Sequence, residues 1–178
     1  MRAPAWLCGV GMAVALAGGA LAGGGALAGC GGPAAPKFPV VVAGELPAGE
    51  SWPGVYYNEV YGNLNIEQQG DNVVGRWKRT NESGWGELSG TVEGNVMHFT
   101  WTEHKYGAIG PSADIKGTGQ FVYQKGEAAG ELKGVYALDG EQSVANWNCV
   151  KQIGKKADIN SITGDNPTDA PTKGDKWQ

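Results

Sequence analysis

Leu88-Ser89-Gly90-Thr91-Val92 carries the pattern that decides the fold: an apolar residue, any residue, glycine, any residue, then a bulky apolar residue. It returns as Val73-Val74-Gly75-Arg76-Trp77 and Leu132-Lys133-Gly134-Val135-Tyr136, with a weaker copy at Gly117-Thr118-Gly119-Gln120-Phe121. Alternate residues of a strand face the same side, so each copy puts two apolar groups and a glycine on one face. Glycine inside a strand marks a tight bend or a close backbone approach. Such strands describe a sheet that curls into a small barrel.

Reading outward from these copies, strands are expected at 54–60, 62–69, 72–80, 85–93, 95–104, 116–125, 129–138 and 143–151. Turn signals separate them, among them Gly70-Asp71-Asn72, Gly94-Asn95 and Asp139-Gly140. Short connections between β-rich runs imply antiparallel hairpins, and no helical periodicity follows residue 30. The fold class is therefore all-β, an antiparallel up-and-down meander barrel of about eight strands. Alternation gives the core: Leu64 and Ile66, Val73 and Trp77, Leu88 and Val92, then Met97, Phe99 and Trp101. Phe121, Tyr123, Leu132, Tyr136 and Leu138 complete it, while Trp147 and Cys149 compete with Val144 and Val150 for the inside of the last strand. A weak repeat relates Gly62 through Trp77 to Gly86 through Trp101, two hairpins that each end on tryptophan.

The flanks differ in texture. Arg2 precedes an apolar Ala/Gly/Leu/Val run over about 5–29, the layout of a secretory signal peptide. Leu27-Ala28-Gly29-Cys30 resembles the bacterial lipobox. That resemblance implies cleavage before Cys30 and acylation, palmitate included, of the new N-terminal cysteine. The alternatives are an ordinary cleaved signal or a single membrane span. Several acyl chains on one cysteine make a stable anchor, whereas one chain binds marginally. In the lipoproteins that this segment resembles, Asp after the cysteine favours inner-membrane retention; with Gly31 there, the resemblance implies the outer membrane. The domain organisation that follows is a signal peptide over 1–29, lipidated Cys30 and a flexible tether over 30–50, a barrel over 51–151, and a disordered tail over 152–178. A first strand over Phe38 to Val42 is the alternative for part of the tether.

Charge and cysteines narrow the function. Removing Arg2 with the signal leaves 13 basic and 18 acidic side chains, a net −5, which gives no basis for nucleic-acid binding. With Cys8 removed and Cys30 acylated, Cys149 has no intrachain partner, so the domain depends on its apolar core.

Meandering strands at this spacing resemble the calycin group, the lipocalins and avidins. The closest local likeness is to an avidin start: Gly54-Val55-Tyr56-Tyr57-Asn58, then Gly62-Asn63, then Gly75-Arg76-Trp77. By that resemblance Asn58, Asn63 and Trp77 stand where the avidin Asn, Ser and Tyr grip the biotin ureido group. Two of the three are changed here, so biotin binding does not carry over. Fold alone does not imply function.

Candidate chemistry is sparse. His98 and His104 share a strand face but lie about 20 Å apart, too far to converge on one metal, so they read as surface histidines and no metal or cofactor is expected. Cys149 reads as a buried small hydrophobe rather than a nucleophile. Glu67, Glu87, Glu93, Glu103 and Glu131 read as solvated surface rather than as a glycosidase pair. Without nucleophile or phosphate motifs, no enzyme is expected. The informative set is aromatic: Trp77, Phe99, Trp101, Phe121, Tyr123 and Tyr136 line the interior, with Gly75, Gly90, Gly119 and Gly134 beside them. A barrel of eight strands either fills itself or holds one small ligand. The expectation is a lipid-anchored envelope protein acting as an interaction or structural module. The alternative is a carrier or sensor for a small apolar or amphipathic ligand. Its partners would be the membrane and either such a ligand or another envelope protein.

Overall fold

The computed structural model describes residues 36–110 and 113–164; Cys30, the signal segment and the tail beyond 164 lie outside them. Its strands are β1 (Gly54–Asn58), β2 (Gly62–Gln69), β3 (Asn72–Lys78), β4 (Gly84–Glu93), β5 (Val96–Lys105), β6 (Asp114–Lys125), β7 (Gly130–Leu138), β8 (Ala145–Asn146) and β9 (Cys149–Lys151). Each pairs antiparallel with the next as far as β7, and β9 returns to pair with both β7 and β1. The sheet therefore closes, which removes free edges. It is an antiparallel up-and-down barrel of eight strands, as the spacing predicts.

The expected last strand, 143–151, appears as two pieces. Val135↔Asn146 and Leu132↔Cys149 keep a single register across the gap. At the gap the Trp147 N–H donates to the Gly134 carbonyl at 2.8 Å, and the Asn148 side chain accepts from the Gly134 N–H at 3.1 Å. An amide side chain thus replaces one ladder bond, and the strand still delivers Trp147 and Cys149 inward. Val144 and Val150 face out, which settles the competition between the two sets.

Three glycines of the recurring pattern sit opposite aromatics in register, Gly90 and Gly119 facing Phe99 and Gly134 facing Phe121, as do Gly117 opposite Trp101 and Gly86 opposite Trp77; Gly75 instead faces Ile66 and Leu88. A methyl on Gly119 would lie 2.3 Å from Phe99, and one on Gly134 2.3 Å from Phe121. The room expected beside these glycines is filled by rings from the neighbouring strand, the close approach that an in-strand glycine permits.

The two ends of the barrel are built differently. At one end β2–β3 and β4–β5 turn in two residues, Gly70-Asp71 and Gly94-Asn95. Gly70 and Gly94 have φ of 61° and 53°, the left-handed values that a glycine-first hairpin turn requires. The β6–β7 turn at the same end takes four residues, 126–129, and the other end carries the connections 59–61, 79–83, 106–113 and 139–144.

Both flanks take part in the domain. Residues 36–50 form no strand, but Gly44 exchanges two hydrogen bonds with Asn95, at 2.8 and 3.0 Å. The Trp52 indole donates to the Gly94 carbonyl at 3.0 Å. The expected tether is thus fastened to the barrel from Gly44 onward. On the other flank, residues 152–164 were expected to begin a disordered tail; instead they cross outside β2 and β3. Asp158 caps the short 3-10 turn Ile159–Ser161, the Asp158 N–H donates to the Asn65 side chain at 3.2 Å, and Arg76 donates to the Ile162 carbonyl at 3.3 Å. Polar composition argued for disorder there, but side-chain hydrogen bonds to strand residues hold this piece without an apolar face.

Candidate functional site

The interior divides into a filled half and a half with space. Tyr56, Leu64, Ile66, Met97, Phe121, Tyr123 and Leu132 are fully buried and belong to one core cluster. At the short-turn end Tyr123 and Tyr56 meet edge to face, and Trp52 closes over Tyr123 at 5.4 Å. Their polar ends are all engaged: the Tyr56 hydroxyl donates to the Trp52 carbonyl at 2.7 Å and the Tyr123 hydroxyl to Glu50. Lys151 lies 3.7 Å from the Glu50 carboxylate and against both tyrosine rings. Burial raises both tyrosine hydroxyls above their ordinary value, with the Glu50 carboxylate adding to the rise at Tyr123. Burial lowers the Lys151 ammonium, against the pull of Glu50.

A cavity of about 140 Å³ lies at the opposite end, the mouth. Trp77, Trp101, Trp147, Tyr61 and Tyr136 form most of its wall, with Ile115 and Leu138 at the rim. The rings meet at steep angles: Trp77 and Trp147 at 4.9 Å and 68°, Trp101 and Tyr136 at 5.5 Å and 84°, Tyr61 and Tyr136 at 6.0 Å and 87°. Such edge-to-face contacts leave both faces and edges available to a further ring.

Its polar groups are few. Arg79 Nε donates to Glu103 Oε2 at 2.9 Å, and the guanidinium lies over the Tyr61 ring at 4.8 Å. The Tyr61 hydroxyl donates to Tyr136 at 2.8 Å; burial, then this bond, raises the Tyr61 hydroxyl. Trp77 Nε1 is buried and has no hydrogen-bond partner. Trp147 Nε1 has none of good geometry either, but its side chain lies on the Cys149 sulfur, a weak acceptor. Burial pushes that thiol up to about 12, and Trp147 offsets part of the rise. A thiol so placed stays protonated and inert. An unmatched buried N–H costs free energy of about 1–3 kcal/mol, so the one on Trp77 calls for a reason.

Of the six aromatics expected to line the interior, the structure brings Trp77, Trp101 and Tyr136 to the cavity. Phe99 and Phe121 stack at 4.7 Å and fill the middle of the barrel, and Tyr123 lies at the sealed end. Sequence reasoning missed Tyr61, Arg79, Glu103 and Trp147. Tyr61 sits in a turn, where alternation says nothing. Glu103 follows Met97, Phe99 and Trp101 at even spacing, and that was the available signal. The expectation of a solvated Glu103 is corrected: it is buried, because Arg79, two residues beyond Trp77, reaches it.

The positions that carry the avidin likeness separate. Asn58 uses its side chain in the β1–β2 turn, accepting from the N–H groups of Val60 and Tyr61, and donates to the Asn148 carbonyl. Asn63 faces solvent, and only Trp77 reaches the cavity. On the outer face His104 bonds Asp114 at 2.8 Å and stacks on Trp85, while His98 is exposed. Among the described residues no three His, Cys, Asp or Glu side chains are grouped to hold a metal ion.

No family model, curated protein or solved structure matches the chain. Its functional reading therefore rests on its own residues.

Proposed function

We propose that the protein is a lipid-anchored protein of the bacterial envelope, held in the outer membrane through Cys30, whose barrel binds a small apolar or amphipathic ligand at its mouth without catalysing a reaction. The observation that carries the binding role is the cavity of about 140 Å³ walled by Trp77, Trp101, Tyr136 and Trp147. Concave aromatic space with a few polar groups is the usual form of a small-molecule site. The lipobox Leu27-Ala28-Gly29-Cys30 supports the anchor.

Native mass spectrometry of the full chain, purified from its own host, tests the binding role. A reproducible added mass, lost in Trp77→Ala or Trp101→Ala, is the expected result; a clean apo mass argues against it. That second outcome would favour a rigid platform for another envelope protein, a reading supported by the completely filled half of the barrel. The anchor has its own test. Cys30→Ala should abolish fatty-acid labelling and leave the precursor uncut, and continued labelling would remove the anchor from the proposal.

A further inference from the structure

We infer that the mouth cavity takes a small apolar ligand ending in an uncharged carboxamide-like group, an N–H donor beside a carbonyl acceptor, which docks on Arg79 and Glu103. This rests on the binding role proposed above and names its ligand class. Both side chains line the cavity.

The two make only half of a pair. Arg79 Nε donates to Glu103 Oε2 at 2.9 Å, and no second hydrogen bond joins them. An arginine and a carboxylate that meet fork to fork use both oxygens. Here Glu103 Oε1 has no donor among the described residues, although the Glu103 side chain is only 6% exposed. The Arg79 Nη groups have no acceptor among them either. The indole nitrogens of Trp77 and Trp147 are closed off, whereas Glu103 Oε1 is not. A buried carboxylate oxygen without a donor is costly, so a ligand that supplies one gains by it.

Charge selects an uncharged group. Arg79 and Glu103 together bring no net charge to the cavity. A cation placed to satisfy Oε1 would lie beside the guanidinium, and an anion placed to satisfy the Nη groups would lie beside the carboxylate. A carboxamide answers both: its N–H meets Oε1 and its carbonyl meets the guanidinium. Both bonds then have one charged partner, the stronger kind of hydrogen bond.

The rest of the wall sets the body of the ligand. Trp101 and Tyr136, and Tyr61 and Tyr136, meet edge to face, so a further ring finds edges and faces at the distances that aromatic pairs prefer. At about 140 Å³ the space is close to the cavity of about 150 Å³ that one benzene ring fills.

The test uses the isotope-labelled full chain in detergent near neutral pH, with free probe concentrations measured. Four probes share one size and shape. Benzamide offers donor and acceptor, acetophenone the acceptor alone, benzamidinium a cation and benzoate an anion. The Trp101 indole N–H and Arg79 Nε–H signals report binding, assigned from Trp101→Phe and Arg79→Gln. Benzamide should move both signals and bind about tenfold more tightly than acetophenone, the loss expected for a donor to a buried carboxylate. It should also bind more tightly than either ion. Two variants shift the charge of the wall. Arg79→Gln should raise benzamidinium relative to benzamide, and Glu103→Gln should raise benzoate. If benzamide and acetophenone bind alike, the donor is wrong and the site stands. Tighter binding of either ion to the unaltered chain would overturn neutrality, with no variant needed. If no probe moves the mouth signals, the binding role falls, and this inference with it.

Discussion

The barrel has two ends made from the same residue types and finished differently. Each presents tryptophan, two tyrosines and an acid–base pair: Trp52, Tyr56, Tyr123 and Glu50–Lys151 at one end, and Trp77, Trp101, Trp147, Tyr61, Tyr136 and Arg79–Glu103 at the other. At the short-turn end the chain before β1 folds over the opening: its Trp52 indole donates to the Gly94 carbonyl of the β4–β5 turn, and its Trp52 carbonyl accepts from Tyr56. At the mouth no segment among the described residues takes that place; the Trp77 indole has no partner among them and a cavity remains. The lesson is that aromatic content does not distinguish a plug from a pocket. What distinguishes them is whether the protein supplies its own partners for the polar edges of its rings.

The largest expected effect comes from truncating one tyrosine at each end. Tyr123→Ala should cost about 4 kcal/mol, as deletion of a fully buried ring does, and Tyr136→Ala about half of that because it is only partly buried beside existing space. Urea unfolding measures both, and equal losses would break the distinction between the ends.

Alkali should come next. Burial raises Tyr56, Tyr61, Tyr123 and Cys149, so the unfolded chain releases these protons at lower pH than the folded barrel does. Their contribution is complete below about pH 9, the ordinary thiol value, and declines as pH rises toward 12 and beyond. Each group adds a slope of at most about 1.4 kcal/mol per pH unit. Urea midpoints measured on either side of pH 9 should fall, and a flat profile would mean that the rings are not buried in solution.

A matched pair of conservative changes gives a smaller and sharper comparison. Trp52→Phe removes a donor that the Gly94 carbonyl uses, whereas Trp77→Phe removes one that nothing uses. The first should be the more destabilising by about 1–2 kcal/mol. The reverse order would show that Trp77 has a partner in solution when no ligand is bound. Least of all, Asn63→Ala should leave stability within about 0.5 kcal/mol, because Asn63 is exposed and outside the cavity. Any loss of ligand in that variant would return the avidin-like positions to the site.

Much of the barrel was legible in the chain because its information is local. Period-two alternation put Leu64, Ile66, Met97, Phe99, Trp101 and Phe121 inside, and Gly70-Asp71 and Gly94-Asn95 marked turns whose backbone conformation glycine adopts freely. The candidate site was only half legible. Trp77 and Trp101 lay on readable strands at the ends of two similar hairpins. Tyr61 lay in a turn, Trp147 in an interrupted strand, and Arg79 beyond the end of β3.

The sequence by itself determined the class of fold, the order of its strands and the face that each turns to the core, since these follow from alternation and turn chemistry within a few residues. The tertiary structure alone decided which strands close the barrel, which ring fills the space above which glycine, and which end stays open. Those depend on side chains far apart in the chain: Trp147 reaches Trp77 and Phe121 only after β9 has returned to β1. Glu103 becomes a buried wall of the cavity only where Arg79, twenty-four residues earlier, meets it.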